Sequence, residues 1–263
     1  NQMNVAVCIK QVPAVSEIKL EKGTNRMLRE DVPAVVNLCD KNALEEALRL
    51  REKHGGRVMV LTMGPPQAEE ALRECVGMGA DEAVLLCDDA LQGSDTLATS
   101  RVLAAAVEKL GGYDLVLCGK QASDGDTGQV GPGIAERLDW AQVTYVNRLK
   151  VEDYVLTAER ENRDGVEILQ AALPAVCTIT EKAHAPRHPS IKGKMKSKSV
   201  EIRTLSAEDI GLTPDDVGFK GSATQVAGTF SPAVLDTGVR IDAKDGQKGA
   251  KVLFETLESL GVW

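Results

Sequence analysis

The residues with the most chemistry to offer lie between Leu115 and Gly133. Leu115-Val116-Leu117-Cys118 is a continuous apolar run, suited to a strand buried on both faces. From Gly119 through Lys120, Gln121, Ala122, Ser123, Asp124, Gly125, Asp126, Thr127, Gly128, Gln129 and Val130 to Gly133 the chain turns into glycines and short polar side chains. A helical pattern resumes at Ile134. A strand feeding a glycine-rich turn and then a helix aims backbone N–H groups and the positive helix end at one spot, which suits a phosphate. The same pattern also makes ordinary connections, and the residues alone leave both readings open. Neither the Walker A spacing nor a G-x-G-x-x-G after the first strand is present. Asp124 and Asp126 are a close carboxylate pair, read as loop-structuring side chains rather than an acid and a base. The three histidines, His54, His184 and His188, lie outside the glycine loops, and the six cysteines are scattered with no C-x-x-C pair. No side-chain catalytic constellation and no metal site is expected.

These residues need elements to position them. Met3 to Gln11 and Val58 to Met63 are apolar strands, Ala83 to Cys87 is a third, and Leu115 begins the fourth. Helices lie between them. Asp40 is expected to cap one that carries Ala43, Leu44, Ala47 and Leu48 on one face and ends at Gly55-Gly56. A second carries Ala68, Leu72, Cys75 and Val76, and the turn Gly77 to Asp81 follows it. Ser94-Asp95-Thr96 caps a third, running to Leu110. Strands alternating with helices of this length predict a doubly wound parallel sheet with right-handed crossovers. In such a sheet ligands sit beyond the carboxyl ends of the strands, at the switch in strand order. Cys8 to Lys10, Met63-Gly64, Ser94 to Thr96 and Gly119 to Gly131 are the candidate strand-end loops. After Trp140 the rhythm changes to three extended segments, Gln142–Lys150, Tyr154–Glu161 and Val166–Ala172, before Ala175 to Thr180 returns to the core. Residues 16–32 suggest a polar hairpin turning at Lys22-Gly23. Residues 211–240 suggest an arm lying on another protein, and Gly249 to Leu260 a terminal helix.

Composition narrows the function classes. Aromatics make up 3% of the 263 residues while hydrophobic residues make up 43%, so the core is aliphatic, as in a parallel sheet covered by helices. No apolar run approaches the ~20 residues of a membrane span, and the first residues lack a charged-then-apolar leader pattern. A cytoplasmic protein with reduced thiols and no membrane insertion is expected. The net charge of −8 excludes broad nucleic-acid affinity. One stretch departs from it: Lys182 to Lys198 holds six Lys or Arg and no Asp or Glu. It is read as a solvated loop, a docking surface for an acidic partner or a nucleic-acid patch, the last disfavoured because it has no aromatic residue for stacking. Ile191 stands alone among the charges, as a small anchor side chain does.

Taken together, ordered blocks along nearly the whole chain resemble the β subunit of electron-transfer flavoproteins. They include Val5 to Pro13, Asp40 to Leu50, Met63 to Arg73, Gly77 to Asp81, Gly119 to Ala122 with the Asp-rich loop, Leu173 to Val176, and Pro186-Arg187 with Lys194-Met195-Lys196. The resemblance implies a nucleotide-binding α/β domain of the adenine-nucleotide α-hydrolase-like kind over 1–181 and a partner-recognition loop over 182–200. A C-terminal extended arm and terminal helix over 201–263 would pack on an α subunit that carries a second FAD. Family members hold AMP or FAD in the β subunit. Gln92 to Ser100, including Ser94, Asp95, Thr96 and Thr99, resembles the bifurcating branch, where it would meet an FAD diphosphate. The same branch is implied by Lys41 to Glu46 and by Asp216 to Ser222. By similarity Cys8, Asn37, Leu38, Cys39, Asp40 and Met63 line the adenine side, and Gly119 to Val130 wrap ribose and phosphates. Pro186, Arg187, Ile191, Lys194 and Met195 map to the dehydrogenase-docking loop. Leu38 stands where the family usually has Pro, and Ala185 and His188 where it has Glu and Tyr. The resemblance further implies NADH as donor, ferredoxin or flavodoxin as one acceptor, and an acyl-CoA dehydrogenase-type flavoenzyme as the other. A one-way carrier with AMP here is the alternative. A nucleotide-sensing module of the same superfamily is disfavoured, because the basic run and long tail extend past where such a domain ends.

Overall fold

The computed structural model describes residues 2–14, 33–228 and 238–262; the expected hairpin over 16–32 lies outside them. They fall into two compact units, one holding 2–14 and 33–226, the other 227–228 and 238–262.

In the first unit the apolar runs become strands where expected. The strands β1 (Val5–Cys8), β2 (Gln11–Pro13) and β3 (Ala34–Val36) lead into the helix α1 (Leu38–His54). Next come β4 (Val58–Met63), α2 (Glu69–Met78), β5 (Glu82–Leu86), α3 (Thr96–Leu110), β6 (Leu115–Gly119) and α4 (Val130–Leu138). Four strands come next, β7 (Ala141–Glu152), β8 (Val155–Asn162), β9 (Gly165–Ala172) and β10 (Ala175–Ile179). They are followed by α5 (Ile191–Ser199), β11 (Arg203–Leu205) and the single turn α6 (Gly218–Gly221).

Nine strands form one sheet in the order β11-β5-β4-β1-β6-β10-β7-β8-β9. Pairing is parallel from β11 to β7 and antiparallel through β7, β8 and β9. Val5, Val7 and Ile9 point to the layer of α1 and α2, while Ala6 and Cys8 point to the layer of α3 and α4. The expected doubly wound α/β sheet is therefore present, with a buried aliphatic core on each face.

Two expectations are corrected here. Asp40 does not cap α1: the helix starts at Leu38 with Asn37 at the cap position, and Asp40 lies in its first turn with its carboxylate turned inward. The basic run is not all loop. Ser190 caps α5 by accepting from Gly193 N–H, and the helix lies on α2. Gly193 permits this contact, because a Cβ there would stand 2.1 Å from the Gly77 carbonyl oxygen. Arg73 and Lys196 donate across the same seam to the carbonyls of Ser197 and Ala80. Of the span 211–240 expected to lie on another protein, residues 216–222 also contact the start of α3 in this chain. In the second unit α7 (Gly246–Ser259) is the expected terminal helix, capped by Asp245, which accepts from Gln247 and Lys248 N–H.

Candidate functional site

The order of strands reverses between β1 and β6, which lie side by side with Cys8 opposite Cys118. Splaying connections at such a point leave a crevice beyond the strand ends. A cleft of about 490 Å³ opens there, within the ~300–1,000 Å³ of small-molecule sites.

Asp40 holds the floor together. Its carboxylate is buried and accepts Lys10 N–H at 2.8 Å and Gly119 N–H at 2.9 Å, which ties the ends of the two central strands. Burial pushes this carboxyl up to about 7, against the opposing effect of those hydrogen bonds. Gly119 must be glycine, since a Cβ there would fall 2.3 Å from the Asp40 carboxylate. Burial likewise raises the Cys8 and Cys118 thiols well above the ordinary range, so both are apolar floor rather than nucleophiles.

One wall is the glycine loop. It turns through left-handed backbone at Asp126 (φ 53°) and Gly128 (φ 63°). Asn37 steadies it from outside, donating to the Gln121 carbonyl and accepting from Ser123 N–H. Two of its glycines serve packing instead: a Cβ on Gly131 would meet Thr178 at 2.3 Å, and one on Gly133 would meet Ser100 at 2.7 Å. The opposite wall is the start of α3, where Asp95 caps by accepting from Ala98 N–H. Thr96 Oγ1 and Gln129 Oε1, 2.7 Å apart, join the two walls. Lys10 and Lys120 line the cleft, each with its ammonium group held in an ion pair. Lys10 Nζ meets both oxygens of Asp124 at 2.7–2.8 Å, and Lys120 pairs with Glu181, a hydrogen bond that raises the Lys120 pKa.

Of the expected residues, Cys8, Asp40, Met63, Ser94, Asp95, Thr96 and Thr99 line the cleft. So do Gly119, Lys120, Gln121, Ala122, Gly125, Asp126, Thr127, Gly128, Gln129 and Val130. Five do not: Asn37 and Asp124 act on the loop from behind, Ser123 turns its N–H to Asn37, Cys39 packs beneath Gly119, and Leu38 is exposed. Leu103 and Val226 line the cleft without having been singled out. Leu103 lies two turns beyond Thr96 on the same helix face, a spacing that could have revealed it. Val226 carries no such signal.

At the other end of α1 a second cluster fixes the basic segment. Arg187 forks onto Glu45, whose side chain is 5% exposed, and onto Glu52, while His184 Nδ1 lies 2.5 Å from the buried Glu46. Burial raises the Glu45 carboxyl, but its bonds to Arg187 more than offset this and hold it below the ordinary range. Beyond this root Ile191 and Met195, one turn apart on α5, are 84% and 70% exposed.

A match to the electron transfer flavoprotein domain spans residues 24–210. The chain belongs to the electron transfer flavoprotein family. It is 49% identical over 231 residues to the electron transfer flavoprotein subunit beta of Thermoanaerobacterium thermosaccharolyticum, covering 88% of each chain. To the caffeyl-CoA reductase-Etf complex subunit CarD of Acetobacterium woodii it is 47% identical over 240 residues, covering 91% of this chain and 92% of that one. To protein FixA of Azorhizobium caulinodans it is 44% identical over 241 residues, covering 88% and 85%. It is thus a β-type member of a family that transfers electrons. Among the described residues no helix is long and apolar enough to cross a membrane.

Proposed function

We propose that the chain is the cytoplasmic β subunit of a heterodimeric electron-transfer flavoprotein of the bifurcating kind, with FAD in the cleft between β1 and β6. In this reading the complex takes a hydride from NADH and divides the two electrons between two acceptors. One is ferredoxin or flavodoxin; the other, reached through the FAD of the α subunit, is an acyl-CoA dehydrogenase-type partner. The observation that supports the FAD assignment is the second wall: polar side chains line the cleft from the start of α3 as well as from the glycine loop, two places at which phosphate oxygens could be met. The relative CarD, named as a subunit of a caffeyl-CoA reductase-Etf complex, supports a partner that acts on a CoA thioester.

The residues present fit such a group. Lys10 and Lys120 line the cleft and would meet phosphate oxygens by turning from Asp124 and Glu181, and the loop and the α3 end offer main-chain donors. Cys8, Met63 and Leu103 give the flat rings an apolar bed and keep water from them. A flavin held there supplies the hydride and single-electron chemistry, which these side chains do not. Pro186, Arg187, Ile191, Lys194 and Met195 form the dehydrogenase-docking surface, with lysines suited to an acidic partner face.

The test is nucleotide content per heterodimer after acid release and chromatography. Two FAD and no AMP is the expected result. One FAD with one AMP would refute the bifurcating reading and leave a one-way carrier with structural AMP, taking electrons from acyl-CoA dehydrogenases.

A further inference from the structure

Residues 216–226 cross the start of α3 as a strap. Gly218 N–H donates to Ser94 Oγ at 2.9 Å, and Arg101 donates to the Asp216 carbonyl at 2.6 Å. Asp95 N–H donates to Ser222 Oγ at 2.8 Å, and that hydroxyl in turn donates a hydrogen bond to the Gly218 carbonyl. The Phe219 ring lies on Gly93, where a Cβ would come within 2.4 Å of it and where φ is +79°. The strap then reaches the cleft, because Val226 is part of its lining.

Asp95 is the pivot of this arrangement. One carboxylate oxygen caps α3 through Ala98 N–H, and the other accepts Thr224 N–H at 2.9 Å and Thr224 Oγ1 at 3.0 Å. A free carboxylate is a poor phosphate ligand, since like charges repel at short range. A carboxylate occupied by three donors is instead a fastening, and it fastens the strap to the same turn whose Ser94, Thr96 and Thr99 face the cleft.

We propose that Asp95 is a positioning residue, not a ligand contact: it ties the strap to the wall of the cleft, so that seating of residues 216–226 and occupancy of the cleft are thermodynamically linked. Each event orders the turn 93–99 that the other needs, and the second to occur meets a turn already in place. Linkage is reciprocal, so nucleotide must tighten the strap by the factor by which the strap tightens nucleotide. The inference rests on the reading that the cleft takes an adenine nucleotide.

The experiment uses the whole protein with its partner subunit, stripped of nucleotide and then titrated with AMP and with FAD. Amide exchange over 216–226 is followed with and without saturating nucleotide, and affinity is measured for wild type, for Ser222→Ala/Thr224→Val and for Phe219→Ala. None of the three substituted residues lines the cleft. Bound nucleotide is expected to slow exchange in the strap about tenfold, and each variant to weaken nucleotide binding by a similar factor. The wild-type exchange measurement stands whether or not a variant folds. Nucleotide binding with unchanged strap exchange, or with wild-type affinity in folded variants, overturns the linkage and leaves the nucleotide site intact. If wild type binds neither AMP nor FAD, the nucleotide reading and the linkage fall together.

Discussion

Between about pH 5.5 and 8, stability is expected to fall by about 2 kcal/mol through Asp40 alone. The folded carboxyl is raised from the ordinary 3.8 to about 7 by burial. The native state therefore holds a proton that the unfolded chain has already released. Its stabilisation is full below the unfolded pKa and is lost as pH rises through the folded one. At 1.36 kcal/mol per unit, the ~1.5 units between pH 5.5 and 7 give that 2 kcal/mol. Asp40→Asn isolates the effect. The amide never ionises, but its NH₂ must face one of the two N–H donors of Lys10 and Gly119, at a cost of about 1–3 kcal/mol. The variant is thus less stable than wild type at the acid end, and its deficit shrinks by about 2 kcal/mol at the alkaline end. Urea unfolding followed by far-UV circular dichroism, at both pH values for both proteins, measures the difference with other titrating groups cancelled. A deficit equal at the two pH values would refute the argument and mean that Asp40 is ionised throughout.

The docking region yields two contrasting expectations. Arg187→Ala leaves the Glu45 side chain buried at 5% exposure without its counter-charge, so a thermal or urea melt should show about 3–5 kcal/mol lost, with little recovery in Arg187→Lys because lysine lacks the fork. Ile191→Ala, at 84% exposure, should leave stability within about 0.5 kcal/mol of wild type while slowing electron exchange with a dehydrogenase partner in a dye-coupled assay.

How much of this was legible depended on whether the signal was local. Val58–Met63 is a strand over the residues expected, because five apolar residues and one threonine between Gly56 and Gly64-Pro65 leave little alternative. The cap of α3 was readable only as Ser94-Asp95-Thr96, three short acceptors ahead of an Ala- and Leu-rich helix, of which the structure uses Asp95. Asp40 was misassigned because a helix-start signal and a buried clip use the same residue type; only the packing of β6 against α1 turns its carboxylate inward. The helix α5 escaped because four lysines among glycine and serines show no apolar stripe, and it is held instead by the close approach of Gly193 to Gly77. The strand β11 is three residues long and gains its place by pairing with β5, a contact 119 residues away that no local pattern encodes. For the site, the glycine loop and the α3 start were readable, whereas Asn37, Cys39 and Asp124 proved to shape the loop rather than face the cleft.

The helix α1 has one more consequence. Asp40 in its first turn grips the floor of the cleft, and Glu45, Glu46 and Glu52 farther along grip the root of the basic segment. From Asp40 to Glu46 the rise is roughly 9 Å, set by 1.5 Å per residue and not by any loop. The helix is in effect a ruler built into the chain. A protein that seats itself on Ile191 and Met195 is thereby held at a defined distance from whatever occupies the cleft, and it inherits that distance without having to induce it.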